Sequence, residues 1–324
     1  MGDRSKRGGL RLVFFAAAGL IILIGIALFA VMRAMKPARA ADLPCRNTAG
    51  RARCVAVNSF DLWCRETGNR SGKTVIVLHG GPGMSCHYFQ DAFDFLEREY
   101  RLILYDQRGS GFSQIKPDLR NYSFNALVQE LEAVRREFVG NEKIIIIGHS
   151  FGGLIAQRYA VEYPDRVDRM VLISSAYARL NRQSIVRHFR LVLKYGLPPS
   201  DPEKANEFFM KMFPVIFEDT FYDMKNFQNL KPGYASFAST MAVRYSLGNY
   251  DFRDDLQHIK AKTLILYGEA EVATTAEEFQ KKIHELIPGS EMVKFEKSGH
   301  WLFLEEPERF QKIVFDFLRG SPQR

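Results

Sequence analysis

Cysteine is scarce in this 324-residue chain: Cys45, Cys54, Cys64 and Cys86 are all there are, and each lies in the first third. Their spacing does not match a structural zinc site, so no metal centre is expected from them. Four thiols admit three pairings. Cys45 and Cys54 flank a short polar loop, where a disulfide would fit an oxidising, extracytoplasmic location; the alternative is four unpaired thiols. Acidic residues are almost missing from the N-terminal segment, since residues 1–53 carry ten Lys and Arg against two Asp and Glu. That segment holds the whole formal charge of +8, because residues 54–324 carry 35 charges of each sign. A nucleic-acid partner would need cations clustered on the folded body, so none is expected. No internal repeat or low-complexity tract interrupts the chain.

The basic N-terminal segment surrounds one long apolar run. Leu12 to Met32 is 21 residues without a charged side chain, long enough to cross a bilayer core as a helix. Arg4, Lys6, Arg7 and Arg11 precede it while Arg33, Lys36 and Arg39 follow it, so the positive-inside rule is nearly balanced. Ala38-Arg39-Ala40 resembles a small-residue cleavage site, yet the run exceeds a usual signal-peptide core. The expectation is an uncleaved membrane anchor over residues 1–40 with a cleaved signal as the alternative. A linker over 41–53 and a folded domain over 54–324, outside the cytoplasm, would follow.

Beyond the linker, short β-rich runs give way to alternation. Residues 54–65 read as a hairpin broken at Asn58-Ser59, and Thr74–Leu78 as a strand. Arg101–Tyr105, Lys143–Ile147, Val167–Ser174, Thr263–Tyr267 and Glu291–Phe295 follow as strands, separated by helical patterns such as Phe124–Val139 and Glu277–Ile287. Such alternation predicts an α/β fold with a mostly parallel sheet covered by helices on both faces. Between Tyr177 and Tyr250 no β pattern appears, and Ser200-Asp201-Pro202-Glu203 reads as a helix start. This interval is expected to be a helical lid inserted over the sheet.

The strand Ile144–Ile147 runs into a helical pattern through Gly148-His149-Ser150-Phe151-Gly152. Four consecutive β-branched residues suit a strand buried on both faces. The glycines permit a tight turn whose central residue is strained and exposed, the G-x-S-x-G elbow of a nucleophile. A serine hydroxyl needs a base, a carboxylate to orient it, and donors for the oxyanion. His300 stands in Ser298-Gly299-His300-Trp301 after the last strand, while Glu271 stands in Gly268-Glu269-Ala270-Glu271 after another. Both are strand C-terminal ends, where chemistry in open parallel sheets collects. Glu269 is the fallback acid. His79, His149, His258 and His284 are expected to be structural or surface residues. Oxyanion donors are expected from the Phe151 amide and from the loop His79-Gly80-Gly81-Pro82-Gly83, with Gly81 N–H favoured. That loop lacks the Lys-Ser or Lys-Thr of a P-loop.

HGGPG at 79–83, DQRGSGFS at 106–113, GHSFGG at 148–153 and GH at 299–300 together resemble the α/β-hydrolase superfamily, and the first three its proline iminopeptidase branch. The resemblance spans about residues 55–318. It implies a serine peptidase or related hydrolase that needs no metal or organic cofactor. It also implies that Asp106–Ser113 braces the loops of the site, with Arg108 paired to a carboxylate and His79 and Gly80 in a supporting loop.

Two departures from the branch bear on this implication. The family usually places Asp where this chain has Glu271, although Glu serves in triads on this fold. Iminopeptidases recognise a free amine through acidic lid residues, for which Glu203, Glu207, Glu218, Asp219 and Asp223 are candidates. Yet residues 177–250 hold ten Lys and Arg against six Asp and Glu. The eight phenylalanines of the same interval, Phe208, Phe209, Phe213, Phe217 and Phe221 among them, suit lid core or an apolar pocket. The expected substrate is a small peptide, with a small ester, lactone or amide as the alternative. A catalytically silent binding protein on this fold is the remote alternative.

Overall fold

The computed structural model describes residues 44–46, 52–89, 91–116, 118–179, 204, 207–208, 211–212, 220–230, 250–271 and 276–320. The expected membrane segment Leu12–Met32 and most of the expected lid, Glu203 and Glu218 included, lie outside them. Among the described residues no helix is long and apolar enough to cross a membrane.

Among the described residues, eight strands form one sheet. β1 (Ala52–Val57) and β2 (Phe60–Gly68) make the expected hairpin, and β3 (Thr74–Leu78), β4 (Arg101–Tyr105), β5 (Ile144–His149), β6 (Val167–Ile173), β7 (Lys262–Gly268) and β8 (Glu291–Phe295) follow. Their order is β1-β2-β4-β3-β5-β6-β7-β8. β1 and β2 pair antiparallel, as do β2 and β4, and every later pairing is parallel. The hairpin turns at Asn58, whose φ of 54° is one that asparagine tolerates better than most residues.

The isoleucine run explains why β5 is central. Ile144 and Ile146 enter the core beneath one face with Ile76 and Leu78. Ile145 and Ile147 enter the core beneath the other face with Val75 and Val77. Side chains alternate across a strand, so a strand buried on both sides must be apolar at every position. Each such side chain contributes about 1.5–3 kcal/mol by burial. β5 continues past the expected end at Ile147, because Gly148 and His149 pair with Leu172 and Ile173 of β6.

Helices α1 (Phe124–Val139), α2 (Phe151–Glu162) and α3 (Glu277–Leu286) cover the first face, while α4 (Leu302–Glu305) and α5 (Pro307–Arg319) cover the second. The Ser123 hydroxyl caps α1 by accepting from Ala126 N–H at 3.1 Å. α5 starts at Pro307, where no amide donor is needed, and stops at Gly320 in the left-handed conformation. Cys45 and Cys54 form a disulfide, whereas Cys64 and Cys86 are free and buried.

The chain leaves the sheet after β6 and returns before β7, and these strands are neighbours. The two ends of the excursion are joined. Arg179 and Asp251 form an antiparallel bridge, Phe252 N–H donates to Ala178 O at 3.1 Å, and the Tyr250 hydroxyl donates to Tyr177 O at 3.0 Å.

Candidate active site

Ser150 stands between β5 and α2 with φ 55° and ψ −116°, a conformation unusual for any residue with a side chain. The surroundings hold it there. Ser150 N–H donates to Ile173 O at 2.9 Å, and its own carbonyl accepts from Gly153 and Ala176 N–H, each at 3.0 Å. Gly152 must lack a side chain, since a Cβ there would lie 2.4 Å from Leu78 O. Gly80 of the HGGPG loop is also pressed on Ser150, because a Cβ on it would stand 2.9 Å from Ser150 Cβ. The Ser150 turn and the glycine loop are therefore in contact, and the first amides of α2, Phe151 and Gly152, precede the point where intrahelical bonding begins.

Glu271 follows β7 and His300 follows β8, and these two turns are packed together. A Cβ on Gly268 would lie 2.2 Å from Gly299 O, and Ala270 N–H donates to Ser298 O at 3.1 Å. Glu271 Oε2 then lies 3.1 Å from His300 Nδ1, with side-chain exposures of 1% and 9%. Its other oxygen, Oε1, is buried without a hydrogen-bond partner among the described residues. Glu269 points elsewhere: half exposed, it pairs with Lys294, which also approaches Glu277 at 3.5 Å. Both acids were candidates by sequence, and the structure brings only Glu271 to the histidine.

The His300 turn is fastened from several directions. His300 N–H donates to Thr220 O at 2.6 Å, and Trp301 Nε1–H donates to the Thr220 hydroxyl at 2.9 Å. Glu305 accepts from Gly299 N–H at 2.7 Å through one oxygen and from Tyr222 and Asp223 N–H at 2.8 and 3.2 Å through the other. Burial pushes the Glu305 carboxyl above the usual range, against the pull of these amides. One carboxylate thus joins the histidine turn to the segment 220–230. Neither Thr220 nor Glu305 carries a local sequence signal, because each contact closes through space.

The HGGPG loop is set by His79, which is fully buried. Gln107 N–H donates to its Nε2 at 3.0 Å, so the ring proton sits on Nδ1 and points to Gly80 O at 2.8 Å. Burial lowers its pKa and keeps it neutral. Asp106 accepts from Cys86 N–H at 2.7 Å and from Phe112 N–H at 2.9 Å. Its carbonyl accepts from the Ser113 hydroxyl at 2.5 Å. The carboxylate partner of Arg108 is Glu130, 2.7 Å away and wholly buried. Cys86, His87 and Asp106 bring potential ligand atoms within 4.8 Å of one another. Asp106 has both oxygens engaged, however, and burial raises the Cys86 thiol well above its ordinary pKa, which disfavours the thiolate a metal would need.

Gly80 N–H donates to the Tyr88 hydroxyl, leaving Gly81 and Phe151 as the amides expected to face an oxyanion. Of the acids considered for an amine, Glu207 is described and exposed. Asp223 is occupied as a turn cap, accepting from Lys225 N–H at 2.9 Å.

Residues 73–229 match the family model for the alpha/beta hydrolase fold. The chain has the α/β-hydrolase fold and is similar to the proline iminopeptidases. It is 29% identical over 281 residues to proline iminopeptidase PfmaB of Pestalotiopsis fici, covering 80% of this chain and 96% of that one. It is 26% identical over 298 residues to a proline iminopeptidase of Saccharolobus solfataricus, covering 83% and 91%. Among solved structures, the meta-cleavage product hydrolase CumD superposes with a TM-score of 0.67 at 23% identity, covering 83% of this chain and 98% of that one. At that identity the likeness speaks for the α/β-hydrolase fold alone. The matched span runs from the start of β3 through the Ser150 turn, while Glu271 and His300 lie beyond it.

Proposed function

We propose that this α/β-hydrolase acts as a serine aminopeptidase of the proline iminopeptidase kind. Ser150 is the nucleophile, His300 the general base, and Glu271 the carboxylate that orients the histidine. The observation that carries this reading is the 3.1 Å contact between His300 Nδ1 and Glu271 Oε2, next to the strained Ser150 turn. A carboxylate on Nδ1 fixes that proton, so Nε2 is the nitrogen left to take the serine proton. Attack of Ser150 Oγ on the substrate carbonyl forms the acyl bond as the Oγ proton passes to His300. The N–H groups of Gly81 and Phe151 stabilise the oxyanion. Collapse expels the amine with the proton returned from His300, and water then releases the acyl group by the same sequence.

Aminopeptidase specificity draws support from the names of the relatives and from the HGGPG, DQRGSGFS and GHSFGG motifs. An acidic residue of the lid interval, with Glu203, Glu207 and Glu218 as candidates, would pair with the substrate ammonium. The same reading includes a membrane anchor at Leu12–Met32 with the catalytic body outside the cytoplasm; the Cys45–Cys54 disulfide suits such a compartment.

The test compares Pro-arylamide with N-acetyl-Pro-arylamide. Blocking the amine leaves a buried carboxylate without its partner, at about 2–5 kcal/mol. The free substrate should therefore react about 30-fold faster or more. Equal rates, or good cleavage of p-nitrophenyl esters with no arylamide cleavage, would favour a second reading as an esterase, lactonase or amidase. The excess of four cations in residues 177–250 favours that alternative, since such a lid is a poor trap for an ammonium group. Fluorophosphonate labelling at Ser150 separates both readings from a silent binding fold.

A further inference from the structure

His149, the residue before the nucleophile, is buried at the end of β5. Its ring centroid lies 4.6 Å from that of His300, and Tyr88, Trp301 and Phe303 surround it with centroids at 5.4, 5.2 and 5.4 Å. Both ring nitrogens are engaged. Nε2 is 2.9 Å from the carbonyl oxygen of His300, and Nδ1 is 2.8 Å from the Tyr88 hydroxyl. A carbonyl can only accept, so Nε2 carries the proton and Nδ1 accepts from Tyr88. The Tyr88 oxygen in turn accepts from Gly80 N–H. Every donor and acceptor in this chain points one way: Gly80 N–H to Tyr88, Tyr88 O–H to His149, His149 N–H to His300 C=O.

We propose that Tyr88 and His149 are positioning residues that tie the oxyanion loop, the nucleophile turn and the His300 turn into one hydrogen-bonded unit. This rests on the assignment of Ser150 and His300 made above. Three parts of a serine hydrolase arrive from three strand ends, β3, β5 and β8, and their relative placement has to hold to a fraction of an ångström for the reaction. Packing supplies distance, but only directed bonds fix rotation. The chain is also closed to protonation. Burial, reinforced by the neighbouring His300, holds the His149 pKa well below its ordinary value, and burial holds the Tyr88 hydroxyl well above its own. Two histidines in ring contact therefore have opposite duties. His300 exchanges its proton, and His149 must not.

The test uses the full chain and the variants Tyr88→Phe, His149→Gln and their double. Tyr88→Phe removes a single oxygen from a buried ring, and leaves Gly80 N–H and His149 Nδ1 without their partner. We expect kcat to fall about 10-fold or more with KM changed less than about 2-fold, because bound substrate is held while the reacting groups lose alignment. The double variant should be no slower than His149→Gln alone, since the residues act as one unit. ¹⁵N spectra of histidine-labelled wild-type protein, with the His149 signals identified by difference against His149→Gln, should show a neutral Nε2–H tautomer unchanged from pH 5 to 9. Wild-type kcat in Tyr88→Phe, additive losses in the double variant, or titration of His149 within that range would each overturn the proposal. If wild-type protein turns over substrate but Ser150→Ala does so equally well, the functional reading fails and this inference falls with it. Normal Ser150 dependence with an indifferent Tyr88 would sink the inference alone.

Discussion

Glu271 holds its Oε2 3.1 Å from Nδ1 of His300, while Glu269, two residues earlier, is drawn to Lys294 at the surface. Glu271→Gln should therefore reduce kcat/KM by about 10²–10⁴, since an amide can donate to Nδ1 and favour the wrong tautomer. Glu269→Gln should change it by less than about 3-fold, as an exposed pair contributes little. Steady-state kinetics on one chromogenic substrate decides the order. A larger loss at Glu269 would move the orienting role there.

The backbone at Ser150 is strained independently of its side-chain chemistry. Ser150→Gly and Ser150→Ala should both be inactive, yet the glycine variant should be the more stable by about 1 kcal/mol, because φ 55° and ψ −116° suit a residue without Cβ. Thermal melts of the two inactive proteins measure this. Equal melting temperatures would mean that the turn carries no strain.

Arg108 and Glu130 form a buried pair beneath the site, with side-chain exposures of 8% and 0%. Burial pushes the Glu130 carboxyl upward, and the Arg108 guanidinium opposes the shift. Glu130→Gln should leave the cation without its counter-charge and cost about 3–5 kcal/mol. Replacing both residues by apolar ones of similar volume should recover much of that loss. Urea denaturation of the single and double variants tests the contrast.

Glu132 on α1 gives an acid-sensitive contribution. Burial would raise its pKa, but hydrogen bonds from Arg135, Tyr159 and Arg136 outweigh burial and hold it at about 2 against an ordinary 4.5. A carboxylate depressed in the folded state stabilises above its unfolded pKa and loses that contribution as pH falls through the folded one. The loss should therefore fall between about pH 4.5 and 2. Glu132→Gln should be less stable than wild type at neutral pH, and the difference should shrink across that window. Unfolding curves at pH 7, 4 and 3 would show it, and a constant difference would contradict it.

Much of the architecture was legible because its determinants are local. The run Ile144–Ile147, the helical pattern Phe124–Val139 and the Asn58-Ser59 turn each specify backbone conformation within a few residues, and these elements stand where those signals put them. The elbow was legible for the same reason, since Gly148 and Gly152 flank Ser150 in sequence. What escaped sequence reading is long-range. Tyr88, Thr220 and Glu305 reach the site only after β3, β8 and the segment 220–230 have come together, and no spacing rule relates residue 88 to 149 or 299 to 305 in that role. His149 was expected to be structural or a surface residue, and its burial between Tyr88 and His300 became visible only with the side chains in place. Glu269 and Glu271 are the same residue type on the same turn, so only the positions of Lys294 and His300 separate them.

The paired stem at Arg179 and Asp251 has a consequence for how such a chain can diversify. Because β6 and β7 are adjacent and the stem is closed by the Phe252–Ala178 and Tyr250–Tyr177 hydrogen bonds, whatever lies between residues 179 and 250 starts and finishes at one place. The entropy of closing that loop grows only slowly with its length, by about 0.6 kcal/mol per doubling. A foreign segment of quite different length could be spliced between the same two points without disturbing the register of the sheet. Such a segment can then be exchanged as a cassette while the turns after β5, β7 and β8, fixed by strands on either side, are inherited unchanged.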